Sequence, residues 1–161
     1  MIRTKVMTAS FVPPIYAWLL AWLEIVQSPG TGTFLANVPG FLLLQTIYLV
    51  YSFPIFLTYG LLSSWISDKL ANRFSSEQVS RIVSFILHML FGLILSWLSV
   101  LAAILFFMMN RLIDRWLVRR KIVLSKRSAL NSLGIPVGWC LLLVSAVYVS
   151  GVIQDFFQRV N

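Results

Sequence analysis

The chain has 161 residues and a mass of 18.3 kDa, with 59% hydrophobic and 11% charged residues, a net charge of +8 and a mean hydropathy of +0.87. Soluble domains carry roughly 45–50% apolar and about 25% charged residues, and a fold this small cannot bury so large an apolar excess. Composition therefore excludes a water-soluble globular domain and a disordered chain, and predicts one integral membrane unit.

A membrane-spanning helix needs roughly 20 mainly apolar residues. Four segments approach or exceed that length. The first covers about 11–26 and extends back to Met7. Pro13 and Pro14 suit its start, since proline fits the first turn of a helix. Arg3 and Lys5 ahead of it resemble the start of a signal peptide, but no small-residue cleavage site follows, so it reads as an uncleaved anchor. The link Gln27–Gly40 contains Ser28-Pro29-Gly30-Thr31-Gly32-Thr33 and is turn-rich. The second span covers about 41–63, and Pro54 inside it predicts a kink. The link Ser64–Arg81 is polar and mixed in sign. Ser75 and Gln78 fit a capping box with Glu77 in the first turn, which starts the third helix near Ser76.

The third segment, 82–109, is 28 residues long and rises about 42 Å as one helix. It has no signal for a tight hairpin, and half of it is too short to cross. One long, tilted helix is the predicted form. Trp116 and Leu117, set among Arg111, Arg115 and Arg119, predict an amphipathic continuation along the headgroups. The link 110–132 is basic: Arg111, Arg115, Arg119, Arg120, Lys121, Lys126 and Arg127 stand against Asp114. The fourth span covers about 133–153. The predicted fold is all-α, a polytopic bundle of about four transmembrane helices with a long tilted third helix, forming a single domain over 1–161.

Lys and Arg near span ends favour the cytoplasmic side. Four spans place six of them with both termini and the second link, and seven with the first and third links. The dense link 110–132 then favours that side as the inner one, with both termini outside. The near-balance also fits insertion both ways. The expected partners of the basic link are anionic headgroups, at about 1 kcal/mol per residue. No nucleic-acid-binding motif accompanies the charge, so nucleic acid is not an expected partner.

Within the spans, Ser84, His88, Gly92, Ser96, Ser99 and Ala103 recur at steps of three or four, on one face of a single helix. Small residues at this spacing let helices approach closely. Gln45, Tyr48, Ser52, Tyr59 and Ser63 form a matching stripe on the second helix, and Gly134 and Gly138 a small-residue step on the fourth. These faces either hold the bundle together or line a polar path between the second and third helices. His88 is the ionisable group well inside an apolar run, a functional candidate by position and equally an interhelical hydrogen-bond partner. Glu24 either pairs with His88 or a loop arginine, or lies among headgroups beside Trp22. Gln45 reads as a group that ties helices together. Cys140 is the only cysteine, which excludes an internal disulfide and a redox pair. One histidine and five acids give no metal set, and no phosphate loop or nucleophile motif occurs. No catalytic, cofactor or metal residues are predicted, and the chain reads as non-enzymatic.

The stretch Tyr59-Gly60-Leu61-Leu62-Ser63-Ser64-Trp65-Ile66-Ser67-Asp68, then Ile86-Leu87-His88-Met89-Leu90-Phe91-Gly92, then Phe106-Phe107 leading to Ile113-Asp114-Arg115, resembles a group of small uncharacterised multi-pass membrane proteins from Bacillus-type bacteria. The likeness covers about 59–115. It implies a bacterial cytoplasmic membrane and about four spans, and it lends no site residues. The expected role is that of an accessory, regulatory or protective component acting by helix–helix association, with a second copy or another membrane protein as partner. The alternative is a small proton-coupled transporter working as a dual-topology homodimer. Short helices, near-balanced loop charge and Glu24 resemble the small multidrug exporters in that respect.

Overall fold

The structure, a computed structural model, describes residues 2–27, 34–74, 76–95 and 97–160. These form helices α1 (Ile2–Gln27), α2 (Phe34–Ile55), α3 (Leu61–Ala71), α4 (Glu77–Leu95), α5 (Trp97–Arg120), α6 (Lys126–Asn131) and α7 (Gly134–Val160). Among the described residues, four helical stretches are long and apolar enough to cross a membrane: Ile2–Gln27, Val38–Ala71, Glu77–Ile94 and Lys126–Ile153. The chain is an all-α, multi-pass membrane protein.

The first span is longer than its apolar run. α1 begins at Ile2, and Pro13 and Pro14 lie in its middle rather than at its start. Their missing N–H groups free the carbonyls of Ala9 and Ser10. A membrane helix stays continuous at such points when its neighbours cover the freed groups. Both residues are fully buried.

The second rod also outruns its predicted end at Ser63. A π-helical turn, Phe56–Gly60, begins two residues after Pro54 and joins α2 to α3, so the helix continues to Ala71. It continues because Ser63, Ser64, Ser67 and Asp68 are all buried. α2 already begins at Phe34, inside the predicted link 27–40. The turn-rich stretch 28–33 and the capping residue Ser75 lie outside the described residues.

The long tilted third helix is not what forms. Residues 82–109 divide into α4 and α5, which pack antiparallel. Phe85 meets Phe107 edge-on at 5.1 Å. A Cβ on Gly92 would stand 2.9 Å from the carbonyl oxygen of Ser99 and 3.1 Å from Ala103 Cβ. The uncharged parts of the two arms, 82–95 and 97–109, rise only about 21 and 20 Å. Each arm needs its polar flank to approach a core of about 30 Å, and with that flank Glu77–Ile94 is long enough to cross. The chain turns back between the two arms, and the close approach of Gly92 to the Ser99 backbone brings them together. Beyond its apolar part α5 does continue to Arg120, with Leu117 buried and Trp116 exposed. Lys121 follows with φ 52°, and the bonds from Lys121 N–H to Val118 O and from Ile122 N–H to Leu117 O close the helix.

α1 lies at the centre, against α2, α5 and α7. Ala9, Val12 and Tyr16 pack on Phe56 and Phe106, and Ala17 packs on Leu49 and Leu143. The start of α1, the end of α3, the start of α4, the end of α5 and α6 meet at one end of the bundle. Arg3 Nη1 donates to Leu124 O at 2.8 Å, Thr8 Oγ1 to Asn110 Oδ1 at 3.3 Å, and the hydroxyls of Ser10 and Ser132 lie 3.0 Å apart. Twelve of the thirteen Lys and Arg residues belong to this end, and Arg159 stands near the far end of α7. The near-balance expected from four crossings disappears, because the hairpin returns the chain and puts the second and third links on the same side.

Candidate functional site

The most polar buried cluster joins α1, α3, α4 and α5. Lys5 is 1% exposed. Its Nζ donates to Asp68 Oδ2 at 2.6 Å, to Ser64 O at 3.0 Å and to Ser64 Oγ. An ammonium has three N–H donors, and all three find acceptors here. The other oxygen of Asp68 accepts from Ser84 Oγ at 2.7 Å and lies 3.8 Å from Arg111 Nη2. A buried ion pair stands only when its remaining hydrogen-bonding capacity is met, and Ser64 of α3 and Ser84 of α4 meet it here. A charged cavity of about 210 Å³ adjoins the pair, with Asn72, Glu77, Arg81 and Asp114 on its walls.

Neither Lys5 nor Asp68 was among the sequence candidates. The signal was present at helical spacing. Ser64, Ser67 and Asp68 extend the stripe of Tyr59 and Ser63 past the apolar run. Lys5 lies three residues before Thr8 and seven before Val12, on the buried face of α1.

The second cluster surrounds a cavity of about 100 Å³ between the π-helical turn and the α4–α5 hairpin. Ser52, Tyr59 and Ser63 line it from one side, and His88, Gly92 and Ser99 from the other. The two stripes seen in the sequence therefore face each other, although Gly92 and Ser99 belong to two helices rather than one. Tyr16 and Tyr59 donate their hydroxyls to Leu98 O at 3.3 Å and Phe91 O at 2.7 Å, fastening the hairpin to the rest. The space has room for water and is smaller than the cavity of about 150 Å³ that holds a benzene.

His88 is 4% exposed, with Phe106 and Phe107 at ring distances of 6.4 and 5.7 Å. Its Nδ1 lies 3.0 Å from Ser84 O, and a carbonyl there requires Nδ1 to carry the proton. Its Nε2 is buried without a partner among the described residues. Ser84 thus links the two clusters: its carbonyl accepts from His88, and its hydroxyl donates to Asp68.

Other candidates fall elsewhere. Glu24 is exposed near the end of α1 opposite Lys5, while the neighbours of His88 come from α4 and α5. The two are not brought together. Gln45 is buried one helical turn before Leu49, with its Nε2 unpartnered among the described residues. Ser96 lies outside the described residues. Gly134 and Gly138 are exposed, and a Cβ on either would meet nothing within 4 Å. They do not pack helices within this chain, because α7 turns other residues, Leu143 among them, towards α1 and α2. Among the described residues, no three His, Cys, Asp or Glu side chains are grouped to hold a metal ion. No family model, curated protein or solved structure matches the chain.

Proposed function

We propose that this chain is a non-enzymatic component of a bacterial cytoplasmic membrane, inserted in one orientation with its basic end in the cytoplasm. It acts by helix–helix association, as an accessory, regulatory or protective subunit. The observation that carries this reading is where the polar side chains go. Lys5, Asp68, Ser84, Thr8, Asn110, Ser10, Tyr16 and Tyr59 bond from one helix to another. They are joints, and joints suit a scaffold better than a transport path. The positive-inside tendency supports the orientation, since twelve of thirteen basic residues share one end. The same asymmetry weighs against a dual-topology transporter, and Glu24 stands near the end of α1 rather than midway along it.

α7 supports the association. It is held on one side only, while Gly134 and Gly138 open outward beside the exposed Trp139 and Leu142. Glycines four apart allow close helix contact in a bilayer. The test is crosslinking in membranes, followed by mild-detergent purification, of the wild type and of Gly134→Leu/Gly138→Leu. Both sites have open space, so the fold is retained. Loss of the crosslinked species is the expected result. An unchanged set of crosslinked species, or none even in the wild type, overturns the reading.

A further inference from the structure

Between α4 and α5, at the basic end, runs an open groove of about 620 Å³ whose two ends differ in chemistry. Ile82, Phe85 and Phe107 form the deep end, and Arg81, Arg111, Arg115 and Arg119 the shallow end. On α5 the residues Phe107, Arg111, Arg115 and Arg119 follow at steps of four, so they descend one face about 6 Å at a time. Phe85 and Phe107 pack edge-on, and the guanidinium of Arg111 lies 5.2 Å from the Phe107 ring. Four guanidiniums stand against Glu77 and Asp114, which leaves the groove at +2. Glu77 is already paired with Arg81. Arg111 reaches Asp68 only at 3.8 Å, and its Nε is buried without an acceptor among the described residues. The groove thus has cationic donors at the basic end of the bundle and an aromatic floor towards its middle.

We propose that this groove binds one anionic phospholipid, its phosphate diester held between Arg81, Arg111 and Arg115 and one acyl chain laid over Phe85 and Phe107. Charge complementarity and depth select this occupant. A soluble anion leaves the aromatic floor bare, and a zwitterionic lipid leaves the +2 charge unanswered. Guanidinium is suited to bidentate phosphate contacts. The proposal rests on the membrane reading above, and not on helix–helix association.

The test is native mass spectrometry of the full chain released from nanodiscs of phosphatidylcholine mixed with phosphatidylglycerol. The wild type is expected to retain one phosphatidylglycerol in preference to phosphatidylcholine. Arg111→Gln/Arg115→Gln should lower that retention about tenfold or more, since each basic contact is worth about 1 kcal/mol. Arg111 also faces Asp68, so Arg115→Gln/Arg119→Gln, which touches no described ion pair, serves as the second variant and should lower it in the same direction. Lys69→Gln/Arg73→Gln removes two charges from the same end outside the groove and should retain the lipid. Phe85→Ala keeps every charge and should still weaken retention. Equal loss in the Lys69/Arg73 variant means diffuse attraction and overturns the proposal. Full displacement of the lipid by inorganic phosphate, or no effect of Phe85→Ala, means a free-phosphate site and overturns it too. The crosslinking result for the Gly134/Gly138 variant is read separately, so either idea can fail alone.

Discussion

Lys5 and Asp68 are 63 positions apart in sequence and 2.6 Å apart in the fold. Their pair fixes the start of the first span to the end of the second rod, and through Ser84 to the start of the hairpin. Removing one partner of a buried pair leaves an uncompensated charge and costs about 3–5 kcal/mol. Lys5→Met and Asp68→Asn are each expected to fall in that range, and the double variant to recover most of the loss. Unfolding of the four proteins in detergent completes the cycle. Small, additive effects would show that the pair does not lock the helices.

Gly92 and Gly138 make a matched comparison. A Cβ on Gly92 meets the Ser99 carbonyl at 2.9 Å, a backbone atom that cannot swing away. Gly92→Ala therefore separates α4 from α5 and is expected to cost about 1–3 kcal/mol. Gly138→Ala meets open space and, as a helix-favouring change, is expected to be neutral or slightly stabilising, within about 1 kcal/mol. The same unfolding measurement ranks them, and equal effects would contradict the close hairpin.

Much of this was legible in the sequence. The apolar runs 11–26, 41–63 and 133–153 fall within three of the candidate spans, the run 82–109 overlaps the fourth and passes beyond it, and Glu77 opens α4 beside the predicted start at Ser76. The stripes of Ser52, Tyr59 and Ser63 and of His88, Gly92 and Ser99 do line a shared cavity. The hairpin was not legible, because a 28-residue apolar run reads alike whether straight or folded. Lys5 and Asp68 were hidden for a different reason. A charge at the edge of an apolar run reads as interfacial until a partner from another helix is known.

The shared side of the second and third links gives a topology prediction. In a Cys140→Ser background, single cysteines at Ser76 and Ser125 are both expected to resist a membrane-impermeant thiol reagent in intact cells. Both should react in inverted vesicles. A cysteine at Gln27, at the other end of α1, should show the opposite pattern. Labelling of Ser76 and Ser125 from opposite sides would restore the single long third helix. Labelling of both to about half from each side would restore dual insertion.

His88 separates stability from function. Its ring is packed against Phe106 and Phe107, and its Nε2 is buried and unpartnered among the described residues. An unmet buried polar atom costs about 1–3 kcal/mol. His88→Phe gives up the bond to Ser84 O and removes that penalty, so stability is expected to stay within about 1 kcal/mol of wild type. His88→Ala leaves a hole beside the cavity of about 100 Å³ and is expected to cost about 2–4 kcal/mol. Comparing both variants by unfolding and by growth of a strain that depends on the protein divides the two roles. A folded His88→Phe that supports growth makes the imidazole a packing group. A folded His88→Phe that fails to support growth assigns it to the working site, since volume and stability are then preserved and only the ring nitrogens are gone.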